Sequence, residues 1–367
     1  MLCMMLLVLW KRTHINYDEY SEKYSDMHNK EEIKFPDFIE EKVSDGLVFD
    51  AEVVIGENFD PDNFYVSTAR IMKPDEEKWK QFFGVDNTWD YNVYETESRI
   101  GDKIEFQTYT DKQENTLYLT SEEALWAKQD MVFIYNVLDT NEYSPQNNGK
   151  LFSEKMDLYL EIRQDNLRNV LDKMQQIGID AAELEVHQEY DLNVDKLKEQ
   201  EEKKIEAGDI EQSEKKESWS TSDEAYYYYL DETTQGLPVF SKRSVNDYSG
   251  DERSQIIVCA GNDGIRYLYM KWFFLFDIGD DKVKFAPIDN IKECIKRKYG
   301  KTLDENCITV KKMVLGVYPF ATDKEKNAVV PVWICFLERK TKGSEYVEKL
   351  YVPINAITGE EFYDMEG

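Results

Sequence analysis

Residues 254–276, with the sequence SQIIVCAGNDGIRYLYMKWFFLF, decide the fold class. An apolar run at 254–260 precedes the four residues Gly261-Asn262-Asp263-Gly264, and a second apolar run follows at 265–276. Glycine, asparagine and aspartate tolerate the positive backbone φ that tight hairpin turns require. The segment therefore predicts two long antiparallel strands joined by a short turn.

Further elements follow from hydrophobic periodicity and from the residues that end each pattern. We predict strands at 49–55, 64–71, 104–109, 116–120, 131–138, 157–162, 182–190, 225–230, 308–319, 329–337 and 345–354. Helices are predicted at 73–84, 164–177 and 287–299, with a turn or one short helix at 121–127. Strands and helices that alternate without a regular βαβ rhythm favour an α+β class. We expect two domains, each a mainly antiparallel sheet packed with one or two helices.

Composition suggests where these domains begin and end. Residues 1–35 combine an apolar start with a polar tether, and 36–190 form the predicted N-terminal α+β domain. Residues 191–222 are rich in Lys, Glu, Asp and Gln, which is typical of a charged helical linker. The predicted C-terminal α+β domain occupies 223–367.

The charge of the chain limits the classes of partner. With 45 Lys and Arg against 74 Asp and Glu, the formal net charge is −29. Affinity for phosphate backbones comes from Lys and Arg, so a general nucleic-acid-binding protein is excluded. A hydrophobic fraction of 41% is too high for a chain disordered throughout. The acidic surface instead favours another protein with a basic surface as the partner.

The first ten residues, MLCMMLLVLW, are wholly apolar. They are far shorter than the roughly 20 residues that span a bilayer. Two interpretations stay open at this point: a short apolar tail of a cytoplasmic protein, or an incomplete export signal. We prefer the second, which predicts an extracytoplasmic protein associated with the cell surface. Its only expected contact with the membrane is an N-terminal anchor, which is missing or degraded in this sequence.

Cysteine and histidine spacing gives no sign of a zinc site, because no CxxC pair is present. Four cysteines, Cys259, Cys294, Cys307 and Cys335, lie in the last third of the chain. They are interpreted either as buried thiols or, for Cys294 and Cys307, as a disulfide.

No nucleophile elbow, phosphate loop, HExxH or EF-hand pattern is present, so we expect no enzymatic activity and assign no catalytic, cofactor or metal residue. The consecutive tyrosines 226–229 predict a strand, and alternatively a stacking platform for sugars or bases. The rings that would form such a platform are Tyr227, Tyr229 and Trp219.

Several short motifs carry a family resemblance. They are Gly236-Leu237-Pro238-Val239, Asp263-Gly264-Ile265, Val330-Pro331-Val332-Trp333 and the ending at 352–360, VPINAITGE. In this order they resemble the C-terminal domain of the YycH and YycI class of extracytoplasmic regulatory proteins, and related clostridial surface lipoproteins. The ending is similar to PepSY-type modules, although Asn355 stands at a position that is acidic there.

The resemblance implies a non-catalytic protein of a Gram-positive cell envelope that binds or regulates another protein, such as an envelope sensor. The alternative function is a binding module for a sugar or peptidoglycan fragment that uses exposed Tyr and Trp rings. Composition and motifs do not identify the ligand in either case.

Overall fold

The computed structural model describes residues 35–97, 103–138, 144–152, 158, 163–240, 256–301, 306–321 and 327–362. The chain divides into two compact units that are not contiguous in sequence. Unit 1 comprises Met1–Thr68, Gln235–Phe240 and Asp277–Gly367, and unit 2 comprises Ala69–Thr234 and Ser241–Phe276.

Helices and strands are numbered in chain order. The described residues contain six α-helices: α1 (Glu76–Phe83), α2 (Met131–Val137), α3 (Ser144–Leu151), α4 (Arg163–Met174), α5 (Val194–Ala207) and α6 (Ile288–Tyr299). The strands of the first half are β1 (Phe38–Ser44), β2 (Leu47–Val54), β3 (Tyr65–Ile71), β4 (Asp90–Glu97), β5 (Lys103–Thr110), β6 (Thr116–Leu119), β7 (Glu123–Ala127) and β8 (Leu184–Leu192). The second half adds β9 (Ala225–Thr234), β10 (Leu237–Pro238), β11 (Ile256–Gly261), β12 (Gly264–Lys271), β13 (Phe274–Lys282), β14 (Asn306–Ala321), β15 (Asn327–Thr341) and β16 (Val347–Asn355).

A seven-stranded sheet in the order β1-β2-β14-β15-β3-β13, with β16 also paired to β15, organises unit 1. The long hairpin β14–β15 pairs antiparallel from Asn306↔Thr341 to Ala321↔Asn327, whereas β2 lies parallel to β14. Trp333 on β15 is fully buried. Helix α6 buries Ile291, Cys294 and Ile295 along one face.

Eight strands provide the framework of unit 2, hydrogen-bonded in the order β9-β11-β12-β7-β6-β5-β4, with β8 also paired to β9. Helices cover both faces of this sheet. Trp79 of α1 and Val170 and Met174 of α4 belong to one apolar cluster. Met131 of α2 and Leu197 of α5 belong to a second cluster. Because both faces are covered, every residue of the central strand β9 is buried.

The α+β class with mainly antiparallel sheets is confirmed. The hairpin that decided it is also present, since β11 and β12 pair antiparallel up to Gly261↔Gly264, and Gly264 has a φ of 98°. One detail differs: residues 265–276 were predicted as one long strand, but the structure divides them between two strands, β12 and β13. The chain leaves β12 at Trp272, whose φ is 50°, and resumes as β13.

Two local predictions are wrong. Residues 131–138 are not a strand, because Met131, Ile134 and Val137 are buried at three-residue spacing along helix α2. Residues 121–127 contain strand β7 where a turn or short helix was expected; β7 buries alternate residues and pairs with both β6 and β12. The predicted strand at 157–162 lies outside the described residues, apart from Leu158.

The compact units do not follow the boundaries expected at 35/36, 190/191 and 222/223. Residues 191–222 begin with the end of β8, which pairs with β9 in the same sheet, and continue into α5. Helix α5 buries Leu197, Gln200 and Glu201. A charged composition therefore marks the exposed face of a docked helix in this segment. The residues that bury it come from distant parts of the chain, which composition does not reveal.

Cysteine chemistry and hydropathy give two further results. Cys294 and Cys307 are both free thiols, so they do not form the disulfide that was one of the two interpretations. Cys259, Cys294 and Cys335 are buried and Cys307 is half-buried. Within the part of the chain that the structure describes, no helix combines the length and apolarity needed to cross a membrane.

Candidate functional site

The three aromatic residues predicted as a binding platform lie in the interior of unit 2. Tyr227 and Tyr229 are only 3% and 6% exposed, and both belong to the apolar cluster that contacts α2 and α5. Trp219 is half-buried against the same cluster, and its Nε1 donates to Glu201 Oε2 at 2.8 Å. The structure thus brings the three rings to one region but offers no exposed ring face at Tyr227 or Tyr229. These tyrosines form core packing on a strand buried on both faces.

Among the described residues, the exposed aromatic side chains of unit 2 lie instead on β4, whose sequence is DYNVYETE. Sequence patterns did not predict this strand. Tyr91, Val93 and Tyr94 are 52%, 46% and 53% exposed, and the other side chains of residues 90–96 are exposed as well. On one edge β4 pairs with β5 over its full length. On its other edge no strand pairs with it among the described residues.

This arrangement is unusual for an edge strand. Proteins protect exposed edges because unpaired backbone N–H and C=O groups recruit further strands, and apolar side chains strengthen the tendency. β4 combines eight residues, an unpaired edge and three large exposed apolar or aromatic side chains. These are the features of a surface that can accept an added strand.

Neighbouring aromatic rings support the two tyrosines of β4 on opposite faces of the sheet. Tyr91 stacks on Tyr109 of β5, with ring centroids 4.8 Å apart. Tyr94 stacks on Phe106 of β5 at 4.9 Å, with the two rings almost parallel. Because side chains alternate along a strand, residues three apart face opposite sides. Tyr91 therefore lies on the face covered by α1, and Tyr94 lies on the other face.

Beside Tyr91 a groove of about 610 Å³ opens between α1 and the sheet. Trp89, Tyr91 and Tyr109 supply aromatic rings to its lining, and Glu77 and Asp86 supply carboxylates. We call this the aromatic groove. Trp89 is half-buried and its ring lies 6.1 Å from that of Trp126 in the core, which fixes this wall of the groove.

Helix α1 positions the polar wall of the aromatic groove. Asp75 caps the helix by accepting from Lys78 N, and Glu76 and Glu77 occupy the first turn, where the helix dipole favours negative charge. Tyr109 donates its hydroxyl proton to Glu76 Oε1 at 2.5 Å. Burial and this carboxylate together raise the pKa of Tyr109, so the hydroxyl stays protonated and holds Glu76 in place.

The groove is electrostatically negative. Lys80 is the one basic residue in its lining, and its Nζ lies 3.0 Å from Glu77 and 3.5 Å from Glu76. Hydrogen bonds from the side chain and backbone of Thr88 lower the pKa of Asp86, which keeps this carboxylate ionised. Three carboxylates against one ammonium leave a net charge of −2 around the aromatic rings. This setting attracts cations and repels anions.

A second groove of about 750 Å³ lies on the other side of α1, between this helix, the end of α4 and the β11–β12 turn. Lys78, Lys173 and the ring of Phe82 contribute to its lining. Burial raises the pKa of Asp263 in the turn, but hydrogen bonds from Lys128 and Arg266 outweigh burial and lower it overall. With Lys78 and Lys173 against Asp263, the lining of this groove has a formal charge of +1, opposite in sign to that of the aromatic groove.

Neither groove contains an evident metal site. Across the described ranges, no group of three or more His, Cys, Asp or Glu residues is arranged to hold a metal ion.

Comparisons with known proteins give a fold but no family. No known protein family matches the sequence, and no curated protein matches it. The structure is similar to that of an uncharacterized protein from Eubacterium rectale ATCC 33656, with a TM-score of 0.61 and 16% identity. That likeness covers 95% of this chain and 99% of the other.

A second solved structure, the Bacillus megaterium YpeB C-terminal domain, aligns with a TM-score of 0.28 and 10% identity, covering 78% of this chain and 92% of that one. A score this low supports no inference about either fold or function. The resemblance to the YycH and YycI class therefore stays a prediction, and the chain shares its fold with the Eubacterium rectale protein.

Proposed function

We propose that this protein is a non-catalytic binding protein that recognises an extended segment of another protein by adding it as a strand to β4. The observation that supports the proposal is the exposure of β4 on both faces, together with an edge to which no strand of the described ranges pairs. In strand addition, backbone hydrogen bonds supply affinity and alternate side chains supply specificity. The outer edge of β4 can supply the backbone hydrogen bonds. Tyr91 and Tyr94 project to opposite faces of the strand and can supply the side-chain contacts.

The charges of β4 indicate the chemistry of the partner. The strand carries Asp90, Glu95 and Glu97 and no basic residue. A second copy of β4 at this edge would bring two such sets of carboxylates together with no basic residue of either strand between them, which disfavours self-pairing. A segment with Lys or Arg at alternate positions places its cations on one face of the sheet and gains from the carboxylates on that face.

We further propose that the protein acts outside the cytoplasmic membrane of a Gram-positive cell, attached to its surface. Support comes from the sequence motifs that resemble extracytoplasmic regulatory proteins. Fractionation of Gram-positive cells that express a tagged full-length gene tests the location. Recovery of the whole protein in the cytosol alone contradicts it.

The decisive experiment for strand addition uses the full chain and backbone-modified peptides. We expect an octapeptide that alternates lysine with valine to bind, and an octapeptide that alternates glutamate with valine not to bind. N-methylation of alternate amides then tests the backbone. Methylation of the set that faces β4 removes about three hydrogen bonds of about 1 kcal/mol each, which weakens binding about 100-fold.

Methylation of the other set leaves those hydrogen bonds intact, so this isomer serves as the matched control. We expect it to bind as well as the unmodified peptide in isothermal titration. Equal loss with both isomers, or equal binding by both, is incompatible with strand addition at an edge. Failure of the unmodified lysine–valine peptide to bind is also incompatible with the proposal.

The alternative, a sugar- or peptidoglycan-binding module, requires exposed rings. Tyr227 and Tyr229 do not supply them, since both are buried. Tyr91 and Tyr94 are the exposed rings of this sheet. Sugar binding therefore stays a prediction, with these two residues in place of the original three.

A further inference from the structure

We infer that the aromatic groove is the specificity pocket of the β4 edge and holds a cationic side chain, lysine or arginine, of the added strand. The inference rests on the proposed function. It goes beyond general charge attraction, because it assigns one face of the added strand and one set of residues to recognition of the cation.

The position of Tyr91 connects the groove to the edge. Tyr91 belongs to β4 and also lines the aromatic groove. In an antiparallel pair, residues directly opposite have Cβ atoms about 5 Å apart, and long side chains reach the diagonal neighbours. A residue added opposite Tyr91, on the same face, therefore projects beside the groove. A residue opposite Tyr94 projects on the other face, where this groove does not lie.

The chemistry of the groove fits an organic cation. The faces of tyrosine and tryptophan rings carry negative potential and attract ammonium or guanidinium groups within about 6 Å. Tyr91 and Trp89 supply such faces, and the nearby carboxylates of Glu77 and Asp86 add negative charge. Aromatic rings combined with carboxylates are the usual surroundings of a bound cationic side chain.

The protein already contains this interaction at the same site. Lys80 Nζ lies 5.4 Å from the centroid of the Tyr109 ring and forms ion pairs with Glu76 and Glu77. Tyr91 stacks on Tyr109 and is half exposed. A partner cation over Tyr91 would repeat the arrangement of Lys80 one ring farther out.

Other side chains fit the groove less well. An acidic side chain would be repelled by Glu77 and Asp86. An aliphatic side chain would displace water from these carboxylates without replacing its hydrogen bonds, which is unfavourable. A neutral saccharide could stack on Tyr91 but would gain nothing from the charge, so it forms a separate outcome of the test.

The test compares two substitutions that are matched in the structure. Tyr91 and Tyr94 have nearly equal exposure, lie on the same strand and stack on a ring of β5 at nearly the same distance. We expect Tyr91→Leu to weaken binding of the lysine–valine octapeptide about 5- to 30-fold, from the loss of a cation–π contact. Tyr94→Leu should change it less than about 3-fold. Thermal unfolding of both variants checks that each remains folded.

A peptide whose lysines carry no charge provides the next comparison. Acetylation of the peptide lysines should weaken binding to the wild-type chain, and the weakening should be several-fold smaller for Tyr91→Leu. Asp86→Asn should lower the affinity for the lysine peptide without affecting the acetylated one. Equal effects of Tyr91→Leu and Tyr94→Leu overturn the groove assignment.

The outcomes separate the two proposals. If the methylated isomers differ as expected but the two tyrosine variants bind equally, strand addition stands and the cation pocket fails. If the lysine peptide does not bind at all, both proposals fail. If a neutral N-acetylglucosamine oligomer binds in a Tyr91-dependent manner and the lysine peptide does not, the groove is a saccharide site and the inference is overturned.

Discussion

Gly84 offers a sharp test of how α1 is held in place between the two grooves. It ends the helix with φ 70° and ψ 27°, in the left-handed region, and its N–H group points back to the carbonyl oxygens of Gln81 and Lys80. Val85 N also donates to Lys80 O at 2.9 Å. This is the glycine termination that satisfies the last carbonyl groups of a helix.

The free-energy change of Gly84→Ala can be worked from two contributions. A residue with a Cβ in the left-handed region is destabilised by about 1–2 kcal/mol. Replacing glycine also reduces the conformational freedom of the unfolded chain, which stabilises the folded state by about 0.4–1 kcal/mol. Beyond the local backbone, no atom lies within 4 Å of the added Cβ, so no clash with another part of the protein adds to this penalty. The net destabilisation is therefore about 1 kcal/mol.

Urea unfolding followed by tryptophan fluorescence measures this change. Five of the seven tryptophans, Trp79, Trp89, Trp126, Trp219 and Trp272, belong to unit 2, so the signal reports mainly on the unit that contains α1. Gly84→Asn is the matched control, because asparagine tolerates the left-handed region better than alanine and should destabilise less. An alanine variant as stable as wild type, or an asparagine variant less stable than alanine, refutes the reasoning.

Two further substitutions probe the interior of unit 2. Leu268→Ala removes a fully buried side chain of β12 and should lower the free energy of unfolding by about 3–5 kcal/mol in urea titration, whereas Tyr346→Ala, at a highly exposed position, should have little effect. Burial raises the pKa of Glu232 well above its ordinary value, so its charged form destabilises the fold as pH rises above the ordinary carboxyl pKa. Glu232→Gln should therefore unfold at higher urea than wild type at pH 7, and the difference should vanish at pH 4; an equal difference at both pH values contradicts the assignment.

Local chemistry explains which elements could be predicted. The β11–β12 hairpin depends on Gly261 and Gly264 and on apolar runs directly beside them, so all the information lies within about twenty residues. The end of α1 at Gly84 is predictable for the same reason. Helix α2 was predicted as a strand because Met-Val-Phe-Ile-Tyr favours a strand locally, and only packing of Met131 and Ile134 against distant residues selects the helix.

The candidate site could not be predicted from local sequence, because it depends on packing and pairing between segments that are distant in the chain. The strand at Tyr226–Tyr229 was predicted, but the exposure of alternate rings was not knowable, because helices from distant segments cover both faces of β9. β4 was missed for a related reason. Three carboxylates in DYNVYETE resemble a polar loop, and its strand conformation depends on pairing with β5. An edge strand carries a weak sequence signal because only one of its edges is stabilised.

The net charge and the exposed edge of this protein have a common explanation. A long strand with Tyr91, Val93 and Tyr94 exposed invites pairing with a second copy, which would remove the edge from any partner. Every such approach brings together two chains of charge −29 and two sets of the carboxylates of β4. Salt at physiological strength screens the long-range part beyond about 8 Å but not contacts at the edge itself. The charges that disfavour pairing between identical chains at this edge are therefore the same charges that would attract a basic segment to it.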